Sequence, residues 1–388
     1  MMEKRLLFLV NGMGLGNSTR CSAIMQELVK HNFKIDIMTS GNGLSYFLAE
    51  RDRLRLEVED IFAVEETSYH GNSSTKLGFL DLLRSARSFV RRLRENRKSL
   101  EKILRGKTYS ALVTDSDYSV CLRKNKYRDI PLIAINNADA IFEKPLRRFL
   151  GRREVFNWQL LVEGCDYIFH RLTPDYLVSP RLEMSEPYKK GRKLITPPIV
   201  RREIAFPNIK CAKRQPNVRD ILRILIVPGG SVFGFSPEQL SVVSWPEGLE
   251  VKILAEPRLN MVQNSEKDVC ENVCFVGRSY RVAELFDWAD ALVVNGGYCS
   301  ISEALVRQKP VLIVPVKGHS EQWINACSLE AAGLAILSSG DDFEEKLKVF
   351  IKNYELLKIS HAKSVLRSDG AQAAADWIRE IVDNDFNR

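Results

Sequence analysis

Residues 291–326 read ALVVNGGYCSISEALVRQKPVLIVPVKGHSEQWINA. Ala291–Val294 is an apolar run without polar alternation, the mark of a strand covered on both faces. It stops at Asn295, Gly296 and Gly297, and a helical stretch follows Ser300. Val311–Val314 repeats the apolar run, PVKGH breaks it, and a second helix follows Glu321. Strand, glycine turn, helix and strand again form a unit that demands a parallel sheet with crossover helices.

The same alternation extends in both directions. In the second half, Ile224–Val227, Val251–Leu254 and Val273–Val276 read as strands, with helices after Ser236 and Tyr280 and a helical tail from His361 to Val382. In the first half, Leu6–Val10, Ile35–Met38, Ala111–Thr114, Pro131–Ile135 and Asp166–Phe169 read as strands between helices such as Ser18–His31 and Leu80–Leu104. Around residues 196–222 the periodicity lapses into TPPIVRREIAFPNIKCAKRQPNVRD, rich in proline and charge. A chain of 388 residues holds about two domains at ~150 residues each. The expected fold is therefore α/β: two Rossmann-like doubly wound domains, 1–200 and 223–370, joined by a linker at 201–222 and facing a cleft. A C-terminal helix at 371–388 is expected to pack back on the first domain.

With 45% hydrophobic and 27% charged residues, 22 Gly and 15 Pro, the chain is neither disordered nor collagen-like. The apolar run Leu6–Val10 is too short for a signal peptide, and nothing approaches the ~18 apolar residues of a membrane span, so a cytoplasmic location is expected. Eight dispersed cysteines fit reduced thiols, and Cys270 with Cys274 lacks the second pair or histidine of a zinc site. The net charge of +8 belongs to the first half: residues 1–200 carry 34 Lys and Arg against 24 Asp and Glu. Much of it lies at Lys76–Arg105 and Lys144–Arg153. In the first segment Leu83, Ala86, Val90, Leu93, Leu100 and Leu104 recur at helical spacing, leaving Arg84, Arg87, Arg91, Arg94 and Lys98 on the wetter sides. A solvated face, an anionic membrane surface and an anionic acceptor all fit this pattern. Nucleic acid fits less well, since no recognised binding motif accompanies the charge.

In open α/β sheets ligands sit at the carboxyl ends of strands. The first strand ends in NGMGLGNSTR, where Gly12, Gly14 and Gly16 form a turn opening a helix that can receive an anion. A dinucleotide fingerprint fits poorly: the third glycine is misplaced, and Asp36 lies mid-strand rather than at a strand end. Three strand ends in the second half carry small or hydroxyl residues: PGGS with Gly230 and Ser231, GRS with Gly277 and Arg278, and NGGYCSISE with Gly296, Gly297, Ser300, Ser302 and Glu303. Such loops cradle phosphates, and Glu303, one turn inside its helix, can accept two hydroxyl hydrogen bonds from a ribose or act simply as a capping residue. His319, Glu321, Gln322 and Asn325 form a polar cluster suited to sugar hydroxyls at the next strand-to-helix junction.

These residues resemble a family. Residues 294–335 are similar to the nucleotide-sugar signature of glycosyltransferases with two Rossmann-like domains (GT-B type), in the family 28 group that includes the lipid-linked N-acetylglucosaminyltransferase of peptidoglycan synthesis. VNGMGLGNSTR resembles that group's N-terminal glycine loop and TPPIVRREI its interdomain segment. The resemblance implies a UDP-sugar donor and no further cofactor or metal. It places Glu303 on the ribose, Gly277–Arg278 at the base, Ser231, Gly297 and Ser300 on the diphosphate, and Glu321 and Gln322 on the donor sugar. Together with the basic first half it points to an acceptor that is lipid-linked or anionic and to contact with the inner face of a membrane.

The chain departs from the pattern at Asn17, where the family commonly has histidine and where an amide cannot serve as a base. In DSDYS, Asp115 is the candidate base with Asp117 in reserve; the same triplet looks like the metal-binding D-x-D of a different glycosyltransferase fold. His319 could act as a base only across the cleft. The expected activity is inverting, metal-independent glycosyl transfer. The alternatives are a sugar-nucleotide hydrolase or epimerase, and a non-catalytic binding subunit for which Asn17 is the best argument.

Overall fold

The computed structural model describes residues 4–53, 58–66, 79–122, 127–143, 146–206, 221–228, 240, 243–255, 272–277, 280, 282–364 and 370–385. The first sheet contains β1 (Arg5–Val10), β2 (Lys34–Thr39), β3 (Val58–Ala63), β4 (Ala111–Asp115), β5 (Leu132–Ile135), β6 (Tyr176–Pro180), β7 (Tyr188–Lys190) and β8 (Lys193–Thr196). Its order is β3-β2-β1-β4-β5-β6-β8-β7, parallel except for β7, which runs against β8. The second contains β9 (Leu222–Val227), β10 (Leu249–Ile253), β11 (Val273–Phe275), β12 (Ala291–Val294), β13 (Val311–Ile313) and β14 (Ala335–Leu337), in the order β11-β10-β9-β12-β13-β14. Both sheets run outward in one direction and then reverse, at β1/β4 and at β9/β12, which is the doubly wound order with its crevice at the reversal.

Helices cover both faces, so the central strands are apolar throughout; β4, β5 and β12 are buried along their whole length. The first sheet is covered by α1 (Leu15–Val29), α2 (Gly41–Glu50), α3 (Phe79–Gly106), α4 (Ala138–Phe142) and α5 (Trp158–Leu172). A short α6 (Arg202–Ala205) leads to the second sheet with α7 (Val282–Trp288), α8 (Tyr298–Val306), α9 (Ser320–Ala331), α10 (Phe343–Lys352) and α11 (Tyr354–Lys363). The last helix, α12 (Gly370–Asp385), returns to the first sheet: Ala374, Trp377, Ile378 and Ile381 share a core with Ile24, Leu28 and Leu194. Val200 and Ile204 from the crossing segment join Leu292, Ile301 and Ile313 in an apolar core that unites the two halves. Among the described residues no helix is long and apolar enough to cross a membrane.

Some segments differ from the expectation. Asp166–Phe169 is not a strand but the third turn of α5, because so short a run, three apolar residues after an aspartate, does not by itself separate strand from helix. The helical tail is two helices, α11 and α12, and residues 365–369 between them lie outside the described residues; of the stretch just after Ser236, residues 237–239, 241 and 242 do too. On α3, Arg87, Arg91, Arg94 and Lys98 are exposed and Leu100 and Leu104 buried, but Val90 is 43% exposed; the side chain of Arg84 lies outside the described residues. Cys21, Cys165, Cys274, Cys299 and Cys327 are free thiols, and Cys270 lies outside the described residues.

Gly12 explains how tightly the β1 turn is folded. A Cβ there would stand 1.7 Å from the Ser40 carbonyl oxygen, where α2 begins. Gly12→Ala must push backbone apart and is expected to cost about 3 kcal/mol or more, read as a lower urea midpoint at unchanged slope.

Candidate active site

The crevice at the two reversals is where the first candidate site residues meet. The β1 turn starts α1 at Gly14 and the β12 turn starts α8 at Gly297, and neither N-terminus has a side-chain cap. The two starts face each other closely: a Cβ on Gly16 would lie 3.1 Å from the Cys299 sulfur, and the Cys299 thiol donates to the Gly16 carbonyl at 3.3 Å. Gly14 borders open space. Between the helices lies a cavity of about 120 Å³ lined by Gly16, Thr19, Tyr46, Arg201, Ser300 and Glu303, among others. Its thiol is inert at neutral pH, since burial pushes Cys299 up to about 12. A larger hollow of about 310 Å³ opens beside α4 and α5 among Asp139, Glu143, His170 and Lys193; no predicted site residue lines it.

Glu303 is 4% exposed, and both of its oxygens are held by Arg201, which donates from Nε at 2.7 Å and from Nη2 at 2.6 Å. Burial alone would weaken the guanidinium's hold on its proton; the carboxylate more than reverses this, so Arg201 stays charged. Ser300 lines the cavity, whereas the Ser302 hydroxyl donates to the Tyr298 carbonyl at 2.8 Å and faces no ligand. Gly296 has φ +83°, and a Cβ there would lie 3.1 Å from Gln322, so the turn requires glycine. Gln322 is buried, its carbonyl accepting from the Val316 amide at 2.9 Å, and Asn325 donates to the Gly296 carbonyl at 3.3 Å; both brace the loops. Gly277 has φ +67°. Gly230, Ser231 and Arg278 lie outside the described residues.

The candidate bases need correction. Asp115 is fully buried and accepts from Arg20 Nε at 2.9 Å and Nη2 at 2.7 Å, so it anchors α1 to β4 and is not open to an acceptor hydroxyl. Arg20 also donates to Asn17 Oδ1 at 3.4 Å. Asp117 is buried with one oxygen accepting from the Ser119 amide at 2.8 Å, and burial holds its carboxyl above the usual range. With Asp115 and Asp117 occupied in this way, the D-S-D triplet is a turn, made sharp by Ser116 at φ +57°, and not a converging metal pair. Asp36 is likewise spent: fully buried, it accepts from Tyr109 at 2.7 Å and from Lys107 at 3.0 Å, which removes the acid a nicotinamide site would need.

One residue escaped sequence reasoning. Glu163 on α5 brings a carboxylate oxygen within 4.8 Å of ligand-type atoms of His319 and Glu321 at the start of α9. Among the described residues this is the group whose atom types and spacing could hold a cation. Asn137 donates to Glu321 at 3.3 Å and Ser320 to Asn157 at 3.1 Å, so the same polar seam continues on either side. No motif marks Glu163, and the segment after it reads as a strand in the sequence.

A profile of glycosyl transferase family 1 matches residues 4–354. The chain belongs to that family. An uncharacterised glycosyltransferase of Methanosarcina acetivorans is 24% identical over 345 residues, 85% of this chain and 82% of its own length. The UDP-N-acetylglucosamine–N-acetylmuramyl-(pentapeptide) pyrophosphoryl-undecaprenol N-acetylglucosamine transferase of Proteus mirabilis is 29% identical over 107 residues, 26% of this chain and 30% of its own. Among solved structures, the calicheamicin glycosyltransferase CalG4 superposes with a TM-score of 0.65 at 16% identity, covering 98% of this chain and 99% of that one. MurG of Acinetobacter baumannii gives 0.57 at 15%, covering 97% and 99%. The fold of this glycosyltransferase is thus GT-B.

Asp115→Asn should expose the structural role of that carboxylate. It leaves Arg20 charged and buried without its counterion, a loss of about 3–5 kcal/mol expected in chemical denaturation. An unchanged midpoint with abolished transfer would return Asp115 to the chemistry.

Proposed function

We propose that this glycosyltransferase moves a sugar from a UDP-sugar to an acceptor hydroxyl by inverting displacement without a metal. The observation that carries the reading is the meeting of two uncapped helix N-termini, α1 and α8, beside Glu303 at the strand reversals. Two helix N-termini without side-chain caps, brought together at Gly16 and Cys299, would suit the diphosphate and stabilise the charge it gains on departure. Glu303 would accept from the ribose hydroxyls, Gly277 would approach the base, and Ser300 and Gly297 would hold phosphate oxygens. His319, Glu321 and Gln322 would line the donor-sugar side. The name of the Proteus mirabilis relative specifies a UDP-sugar donor, and the Medicago truncatula UGT71G1 structure holds UDP-glucose.

Arg201 sets the condition for donor binding. It already satisfies both Glu303 oxygens, and about 120 Å³ is well below the roughly 300–1,000 Å³ of ordinary ligand pockets. The donor would therefore enter as Arg201 swings aside or the halves part, and closure over it would exclude water.

The acceptor would be lipid-linked and met at an anionic surface. Leu161, Cys165, Ile168 and Leu172 recur at helical spacing on α5 and all are exposed, Leu161 at 74% and Leu172 at 75%. Arg171 on the same helix is exposed as well, as are Leu150, Arg147, Arg148, Arg152 and Arg153 in the segment before it. An apolar stripe with a basic margin suits the interface of an anionic bilayer, where each basic residue adds roughly 1 kcal/mol.

Two outcomes follow. UDP at about 100 times its dissociation constant should add roughly 2.7 kcal/mol of stability to the wild type, and Glu303→Ala should lose most of that gain in a thermal-shift titration; stabilisation by NAD alone would refute the donor site. In co-sedimentation with phosphatidylglycerol vesicles, Leu161→Glu with Leu172→Glu should reduce the bound fraction several-fold, and equal binding would refute the membrane face.

A further inference from the structure

We propose that Glu163 is the group that takes the proton from the attacking hydroxyl. This assignment rests on glycosyl transfer at the cleft described above. The positions where a base would be sought cannot supply one: Asn17 is an amide and Asp115 is locked to Arg20. Glu163 meets the second half from the half that carries the exposed face of α5, and it does so on the opposite side of that helix from Leu161, Cys165 and Ile168. There it meets His319 and Glu321, the residues beside the donor sugar in the proposed function, with all three groups within 4.8 Å. An acceptor lying along the first half and a donor held by the second would thus have this carboxylate between them.

The surroundings tune it for the task. Burial, the Glu321 charge and the Asp166 charge on its own helix hold the Glu163 carboxyl well above the usual carboxylate range, against a hydrogen bond from Gln159. Asp166 is itself engaged by Tyr118, Asn136 and His170. From α9, burial keeps the His319 ring neutral, its Nδ1 without a hydrogen-bond partner among the described residues. Asp139 of α4, which packs on α5, is paired with Arg181 and Lys193 and adds no free charge. A carboxylate with raised proton affinity is a stronger base and can act near neutral pH. In the step, the acceptor O–H bond breaks with its proton passing to Glu163, the acceptor oxygen bonds to the anomeric carbon, and the bond to the diphosphate breaks with its electron pair leaving on the diphosphate.

The test uses the full chain, treated with EDTA, with UDP-N-acetylglucosamine and UDP-glucose as donors, water as acceptor and UDP release as readout. Glu163→Gln should lower the wild-type release rate about 100-fold or more, within the usual 10²–10⁴ for a general base, with UDP affinity and melting temperature unchanged. The acid limb of the wild-type pH–rate profile should lie above the ordinary carboxylate range and move down in Glu321→Gln. Carbon-13 NMR of the glutamate carboxyls should show the same movement for Glu163, independently of turnover. Formate should restore part of the rate to Glu163→Ala, which a purely structural role would not allow. Wild-type rates in Glu163→Gln would overturn the assignment while leaving transfer intact; a wild type that neither binds UDP nor releases it would overturn both. Stoichiometric zinc binding lost in Glu163→Gln, with activity requiring the metal, would make the cluster a cation site and also overturn it.

Discussion

The bidentate pair between Arg201 and Glu303 governs the state in which this molecule is seen. Arg201 belongs to the segment that crosses between the sheets, and Glu303 to the first turns of α8, so one buried ion pair ties the crossing chain to the helix that follows β12. Taking both charges from water is costly, and the near-ideal fork geometry offsets that cost only while the partners stay together. A ligand that used Glu303 would have to supply equivalent hydrogen bonds.

Beneath it, Arg20 and Asp115 play the corresponding part for the first half. The pair fastens α1 to the end of β4, directly under the glycine turn, and makes the direction of the α1 N-terminus a property of the buried core. The same glycines that let α1 and α8 approach leave their N-termini free of side-chain caps. Close approach and uncapped N-termini are thus two consequences of small residues at strand ends, and both follow from the reversal of strand order at β1/β4 and β9/β12.

Much of this was legible in the linear chain. Apolar runs ending in glycine announced parallel strands because burial on both faces removes polar alternation, and β1, β4, β9, β12 and β13 emerge within a residue or two of the runs that mark them. The polar loops PVKGHSEQ and NGGYCSISE likewise stood out at strand ends. Short elements at the sheet edges did not: β7 and β14 are three residues each, and Asp166–Phe169 belongs to a helix whose outer face is itself apolar, which blurs the contrast that periodicity needs.

Sequence alone determined the α/β class, the doubly wound plan and the loops in which a nucleotide sugar would be sought, because those depend on local hydrophobic period and on where glycine and hydroxyl residues fall. Tertiary structure decided which polar groups are free. Asp115, Asp36 and Ser302 have the right chemistry, yet their hydrogen bonds are spent on Arg20, on Tyr109 and Lys107, and on the Tyr298 carbonyl. Glu163 has no motif and lies some 150 residues from its neighbours His319 and Glu321, in a contact that exists only because two sheets face each other. Hydrogen-bond satisfaction and charge proximity are properties of three-dimensional neighbours, and no spacing along the chain encodes them.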